Sequence, residues 1–482
     1  MSGGIGVVAR GAPDTVALAT VGRVVTFAEL DERHRLLAGA FAHGGVEAGD
    51  RVAVLSKNSP GSLEVSTGAL RAGVIPVPIN TLSAPREIEY LIEDSGARWL
   101  FTDRTIETIP GLERIVSLGS AYERMLSESE VADVADHALG RPLHYTSGTT
   151  GPPKGVWVDP YDPETARERS VDFRRYWDLR GGDVHLICSP LSHSAPHRYA
   201  LRTLESGGTV AVQERFDAAE TLAAMELFGI TTTFMVPTHV ERILGLGRTA
   251  LARHDLSSLR SLIHAGAPIR TETKEELLAL FPGSRVWEFY GSTEGHFTRI
   301  SAEEWRQKPG SVGKPREGAR LVVTDDEGAE VDEGETGQVW VDDPHAERFR
   351  YWGDEAKTRE AWLGSAFTAG DIGYVDVDGY LFLAGRRNDL IISGGVNVYP
   401  VEVETVLAEH PAVGEVVVFG VPDEEWGQKV CARIVIEPDA SFDEDEFGIW
   451  MRERLASYKL PRSIELADEL ERTPTGKVRR PQ

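Results

Sequence analysis

The sequence predicts an α/β protein, with a large N-terminal unit of doubly wound, mostly parallel sheets with helices and a small β-rich subdomain, followed by a small α+β C-terminal domain. Three observations carry this. Short apolar runs alternate with helical stretches from Arg51 to Phe289, the rhythm of a parallel sheet wound by crossover helices. Near Tyr374 the pattern turns antiparallel, with Asp378-Gly379 as a hairpin turn between Tyr374-Val375 and Tyr380 to Leu383. At 482 residues the chain also exceeds the length a single core supports, about 300 residues.

Taken in order, Thr26-x-x-Glu29 reads as a capping box opening a helix with Phe27, Leu30, Leu37 and Phe41 on one side. Strands are predicted at Arg51 to Leu55, Val74 to Pro78 and Trp99 to Thr102, with helices near Ser62 to Ala72 and Pro85 to Asp94. The stretch from Asp103 to Gly140 reads as acidic and irregular. Strands resume at Arg141 to Tyr145, Gly155 to Asp159, His185 to Cys188, Thr209 to Val212, Thr231 to Met235, Ser261 to His264 and Arg285 to Phe289. Asp325 to Glu335 reads as a solvated turn between strands. Beyond Gly385-Arg386-Arg387-Asn388-Asp389, a helix from Pro400 to about Glu409, strands at Val416 to Phe419 and Ala432 to Ile436, and a helix around Phe447 to Leu455 form the last module. The boundary is drawn at Asn388, giving domains 1–387 and 388–482.

Composition narrows the function classes. Hydrophobic residues make up 41% and charged residues 26%, the mean hydropathy is −0.23, and no apolar run reaches bilayer length, so a soluble chain without a membrane span is expected. Met1 to Gly11 lacks the cationic-then-apolar pattern of a signal or transit peptide, and a cytoplasmic location is the expectation. Cys188 and Cys431 belong to no metal-spaced or redox-spaced pair and read as reduced residues. A net charge of −25 disfavours nucleic acid as a partner, so any nucleotide must be held by local donors.

Four segments carry chemistry. Tyr145 to Gly155 contains Thr146-Ser147-Gly148-Thr149-Thr150-Gly151-Pro152-Pro153-Lys154 between two predicted strands. Its glycines let backbone N–H groups approach an anion, four hydroxyls add donors and Lys154 adds charge, although the spacing is not that of a Walker loop. A flexible connector is the competing reading. Glu288 to Gly295 follows a strand and sets Tyr290, Gly291, Ser292, Thr293 and Glu294 in a turn. An aromatic face suits a purine and a carboxylate suits magnesium carried on phosphates, whereas a strand end with a core tyrosine explains the same residues blandly. Phe367 to Asp371 places a carboxylate after a glycine turn, able to accept from two vicinal ribose hydroxyls, or to serve as a cap. Arg472 to Lys477 presents a lysine on a glycine-containing loop, or a plain tail.

Together and in this order, the four resemble the motifs of the ANL superfamily of adenylate-forming enzymes, in its acyl-CoA synthetase branch of the fatty-acid and bile-acid ligase type. The resemblance extends to Pro190 to Pro196, His264 to Pro268, Gly334 to Gly337 and Leu383 to Glu404. It implies that Thr146, Ser147, Gly148, Thr149, Thr150 and Lys154 hold the ATP phosphates, with Thr146 and Glu294 facing magnesium. Adenine would lie between Tyr290 and the Gly266-Ala267-Pro268 turn, with Gly291, Ser292 and Thr293 beside it and Thr293 near the α-phosphate, and Asp371 and Arg386 would bind ribose. Lys477, with Glu294 and Lys154, would be catalytic for adenylation. The resemblance further implies a mobile C-terminal domain turning about Asn388, which withdraws Lys477 and brings Ser393, Gly394 and Gly395 to a pantetheine passage. Hinges in this family are commonly Asp or Lys, so Asn388 is a departure.

The implied reaction is ATP-dependent adenylation of a carboxylic acid followed by thioesterification to coenzyme A. The segment Ser192-His193-Ser194-Ala195 lacks the aspartate that amino-acid-selecting members carry, so a hydrophobic fatty, polycyclic or aryl acid is expected, bordered by His193, Pro196, Val236, Gly266 and Gly291. Arg452, Arg454, Lys459, Arg462, Arg479 and Arg480 are available for the nucleotide end of coenzyme A. Other readings remain: an acyl-AMP ligase loading a carrier protein, luciferase-like oxidation of the adenylate, and a non-catalytic adenylate-binding scaffold. The assembly expected is a monomer or homodimer.

Overall fold

A long helix, Phe27–His43, shows how local sequence sets the first unit. Thr26 caps it by accepting from the Glu29 N–H at 3.2 Å, but the Glu29 carboxylate turns to Arg23 at 4.0 Å, so only half of the expected box forms. The reciprocal box belongs to the next helix, Pro60–Arg71, where Ser59 and Ser62 cap each other.

The computed structural model describes residues 3–146, 153–281, 285–386, 389–393, 396–423, 426–438, 440–455, 457, 459–472 and 478–481, with backbone alone at 285, 386, 392, 396, 397 and 427. They divide into two units, residues 1–309 with 346–358, and residues 310–345 with 359–482. Residues 310–345 and 359–386 thus group with the C-terminal module, whereas the sequence boundary was drawn at Asn388, which lies outside the described residues.

In the first unit, an eight-stranded sheet runs in the order His296–Ser301, Arg285–Gly291, Ser261–His264, Thr232–Met235, Val184–Ile187, Thr209–Val212, Val16–Thr20, Arg23–Thr26. Its interior pairs are parallel and both rims are antiparallel hairpins. A second, all-parallel sheet has the order Ile75–Ile79, Arg51–Leu55, Trp99–Thr102, Arg114–Ser117. Leu37, Phe41, Val54, Val65, Trp99 and Phe101 are buried together between it and its helices. A third, antiparallel sheet joins His144–Thr146, Lys154–Trp157 and Arg350–Tyr351.

The stretch from Asp103 to Gly140 departs from its irregular reading. It contributes the strand Arg114–Ser117 and the helix Ser120–Ser127, whose Tyr122, Met125 and Leu126 are buried. With Val116 and Ala138 they are the buried apolar residues of this stretch, too few and too scattered among acidic ones to show a periodicity.

The second unit opens with an antiparallel sheet of Trp362–Leu363, Ala366–Phe367, Gly337–Asp342, Asp371–Val375 and Leu381–Arg386, with Arg320–Thr324 added on Gly337–Asp342. Asp325 to Glu335 is the expected connection between two of these strands, and Asp378-Gly379 turns the expected hairpin. A further sheet combines Val396–Val398, Ile391–Ser393, Gly427–Ile436 and Val413–Asp423 with Ser463–Leu466, packed on the helices Pro400–Ala408 and Glu444–Arg452. No helix of the described residues is long and apolar enough to cross a membrane.

Candidate active site

Thr146 and Lys154 are Cα partners at the mouth of an antiparallel hairpin, and the Thr146 hydroxyl donates to the Lys154 carbonyl at 3.4 Å. The two residues that flank the predicted phosphate segment are thus held together by strand pairing. Ser147, Gly148, Thr149 and Thr150 themselves lie outside the described residues. The Arg350–Tyr351 strand extends this sheet, pairing Tyr351 with Val156. Its position lets Tyr351 donate to Glu294 Oε1 at 2.9 Å while the Lys154 ammonium lies 5.1 Å over the tyrosine ring. Three segments far apart in sequence thus meet, and Glu294 is buried at 7% exposure.

Glu294 follows the parallel strand Arg285–Gly291, whose Glu288 is in register with His264 of the neighbouring strand. The Gly266-Ala267-Pro268 turn therefore leaves its strand beside Tyr290, which is still within the neighbouring one. The Tyr290 ring packs 4.7 Å from Phe297. Ser292 closes the turn through its N–H to the Gly295 carbonyl at 2.8 Å, leading through Thr293 to Glu294. Gly266 has φ +95°, and a Cβ there would stand 3.6 Å from Val236 Cγ1, so the turn expected for the nucleotide lies next to one of the expected acyl residues. At Gly291 a Cβ would lie 2.9 Å from the Gly295 carbonyl oxygen, so a side chain would force the turn apart.

His193 sits at the N-cap of the helix Ser194–Glu205, with Pro196 buried in its first turn. Buried Asn58 fixes the segment before it, donating to the Ser189 carbonyl at 2.9 Å and accepting from the Leu191 N–H at 2.8 Å. Beside these segments an aromatic group assembles from four elements: Phe173, Trp177, Tyr199, Phe234 and Phe289, with Ala195, Val236, Ile263 and Ala265 packed against it. Trp177 and Phe289 are 5.5 Å apart, and Tyr199 stacks on Phe234 at 5.7 Å.

In the second unit, Asp371 is 8% exposed and is the register partner of Arg386, whose side chain lies outside the described residues. Thr368 supports the turn before it, accepting from the Gly370 N–H at 3.0 Å. Ser393 is buried, while Gly394, Gly395, Asn388 and Lys477 lie outside the described residues.

The expectation for the C-terminal cations changes in detail. Arg480, considered for coenzyme A, is spent on internal pairs, donating to Glu404 Oε2 at 2.8 Å and Asp389 Oδ2 at 3.1 Å. Arg462 and Arg454 lie over Trp426 and Trp450 at 3.8 and 4.4 Å, and Lys459 pairs with Glu402. Both cysteines are free and buried, and burial pushes the Cys188 thiol up to about 12, which leaves it unreactive. Tyr351 and Asn58 had no motif to mark them. Tyr351 lies nearly two hundred positions from Lys154, and only strand pairing makes them neighbours.

Paired strands on either side of a hydroxyl-rich segment, a buried carboxylate held by Tyr351 and an aromatic group on the adjoining sheet suit a nucleotide-dependent, adenylate-forming class. The family described as AMP-binding enzyme matches residues 7–349, and its C-terminal domain matches residues 402–477. A feruloyl-CoA synthase of Amycolatopsis sp is 35% identical over 480 residues, covering 98% of this chain and 95% of that protein. The fatty acid–[acyl-carrier-protein] ligase ScoC of Streptomyces coeruleorubidus is 34% identical over 485 residues, covering 97% and 92%. The structure of o-succinylbenzoate coenzyme A synthetase (MenE) from Bacillus subtilis, in complex with ATP and magnesium ion, superposes with a TM-score of 0.86 at 29% identity, covering 98% of this chain and 97% of that one. The chain belongs to the AMP-binding enzyme family of the ANL superfamily. It is an AMP-forming acid–thiol ligase.

Proposed function

We propose that this enzyme converts an aromatic carboxylic acid to its coenzyme A thioester through an acyl adenylate. The observation that carries the aromatic preference is the ring group of Phe173, Trp177, Tyr199, Phe234 and Phe289, since Phe289 directly precedes Tyr290 and Ala265 directly precedes Gly266. Rings at this border give an aryl acid edge-to-face partners that an aliphatic chain does not use. The feruloyl and o-succinylbenzoate acids named for two relatives are themselves aromatic.

In the first step a carboxylate oxygen attacks the α-phosphorus of ATP, the bond to the β-phosphate oxygen breaks, and pyrophosphate leaves. Lys154 and the Thr146 to Thr150 loop hold the phosphates, and Lys477 bridges the carboxylate and α-phosphate oxygens where charge gathers. Adenine lies between Tyr290 and Gly266-Ala267-Pro268, with Gly291, Ser292 and Thr293 alongside, and Asp371 with Arg386 takes the ribose. Magnesium fits these residues as a cation arriving on phosphates: the donors are a carboxylate and a hydroxyl, Glu294 and Thr146, and the described residues contain no group of three or more His, Cys, Asp or Glu that could cage it. When bound, it neutralises phosphate charge. In the second step the thiol sulfur attacks the acyl carbon and AMP departs, after rotation about Asn388 has withdrawn Lys477 and presented Ser393, Gly394 and Gly395 to pantetheine. His193, Pro196, Val236, Gly266 and Gly291 border the acid. The enzyme works in the cytoplasm, where ATP and coenzyme A are supplied, as a monomer or homodimer.

A coupled assay of AMP and acyl-CoA formation across aryl, fatty, polycyclic and amino acids tests this reading. Acyl-CoA from the aryl acids supports it. Pyrophosphate release without a coenzyme A product points to carrier-protein loading, the activity named for the ScoC relative. A clear preference for aliphatic acids defeats the aromatic assignment.

A further inference from the structure

The adenine-side segments leave the sheet from two adjacent parallel strands, and a buried lysine ties those strands together beneath them. His264 ends Ser261–His264, and Glu288 is its register partner in Arg285–Gly291. From the helix Thr271–Leu280, Lys274 reaches both, donating through Nζ to Glu288 Oε2 at 2.9 Å and to His264 Nε2. Lys274, His264 and Glu288 are 1%, 0% and 6% exposed, and the Trp305 ring lies 5.6 Å from the ammonium.

Lysine is among the residues least often buried, and an ion pair is seldom the most stable filling for a core, because desolvation of both charges offsets their attraction. Apolar residues of similar size would fill this space, so stability alone gives no reason for the lysine. Direction does. Burial and the adjacent ammonium hold the His264 imidazole neutral, so Nε2 accepts from Lys274. One charged donor thereby fixes two acceptors on two strands, one at the end of Ser261–His264 and the other two residues before Tyr290 within Arg285–Gly291.

We propose that Lys274 is a positioning residue for adenylation, setting the distance between the Gly266-Ala267-Pro268 turn and Tyr290. The inference rests on the reading that adenine lies between them. Parallel ladder bonds fix register but stop at His264, two residues before the left-handed Gly266, and the Lys274 clamp carries the restraint to that point. It touches no substrate and acts through the two strands.

The test is calorimetric titration with magnesium-ATP, independent of which acid is used, alongside thermal unfolding. Lys274→Met alone leaves the Glu288 carboxylate buried without its cation, and both melting temperature and ATP affinity fall. In Lys274→Met/Glu288→Leu the melting temperature returns to the wild-type value, yet ATP binds at least about tenfold more weakly, because misplacement of a binding wall is costly even when folding is intact. Wild-type ATP affinity in the double variant overturns the proposal. If that variant does not fold, His264→Ala removes one arm and keeps the Lys274–Glu288 pair; weakened ATP binding supports the clamp and unchanged binding overturns it. Failure of the wild-type protein to bind ATP would instead defeat the nucleotide reading itself, and the clamp with it.

Discussion

Tyr351 donates its phenolic proton to Glu294 at 2.9 Å, and the same ring carries the Lys154 ammonium 5.1 Å over its face. A single tyrosine thus links the carboxylate proposed for magnesium to the lysine proposed for phosphate. It holds one by a charge-assisted hydrogen bond and the other by its quadrupole.

Removing only the hydroxyl separates these two links. In Tyr351→Phe the ring stays beneath Lys154 while Glu294 loses a hydrogen bond of the charged type, about 1.5–3 kcal/mol. The expected result is a fall of about tenfold or more in kcat/KM for magnesium-ATP, read by steady-state kinetics across a magnesium titration. Tyr351→Ala falls further because the cation–π contact goes too.

Lys477→Ala separates the two half-reactions. Pyrophosphate formation from acid and ATP collapses, while transfer from supplied acyl-AMP to coenzyme A survives. Loss of neither half-reaction would show that Lys477 has no part in adenylation.

Glu347 governs an acid limb of stability. Burial raises its pKa, but Arg141, at 3.2 Å, and Arg198 outweigh burial and hold the carboxyl at about 2. A folded pKa below the unfolded value of about 4.3 stabilises the protein at every pH above that value and is lost as pH falls toward 2. Glu347→Gln should therefore cost about 3 kcal/mol at pH 7. In urea titrations the gap between wild type and variant should be constant from pH 6 to 8 and narrow below about pH 4.5.

Phe101 anchors the four-stranded sheet. Its ring meets Phe41 and Tyr122 edge-on at 6.2 and 6.0 Å and is fully buried. Phe101→Ala should lower unfolding free energy by about 3–5 kcal/mol in equilibrium denaturation. A loss under 1 kcal/mol would mean the site collapses around the gap.

The strand rhythm was legible because parallel strands buried on both faces are near-continuous apolar runs: Arg51–Leu55, Trp99–Thr102, Thr209–Val212 and Ser261–His264 fall where predicted. Arg114–Ser117 and Ser120–Ser127 were not legible, since one side of each faces solvent within an acidic stretch. The strands Val413–Asp423 and Gly427–Ile436 are longer than predicted, because cross-strand pairing carries them past their apolar centres.

By itself the sequence determined the parallel α/β architecture and the family, and it marked the candidate segments for chemistry, because these depend on residue type and spacing along one chain. The tertiary structure decided which residues stand beside them. Asn58 pins the turn before His193, Tyr351 reaches Glu294, and Lys274 joins His264 to Glu288. Each belongs to no motif and acts across a sheet or between a strand and a helix. Such contacts are set by register and packing of distant segments, which local periodicity does not encode.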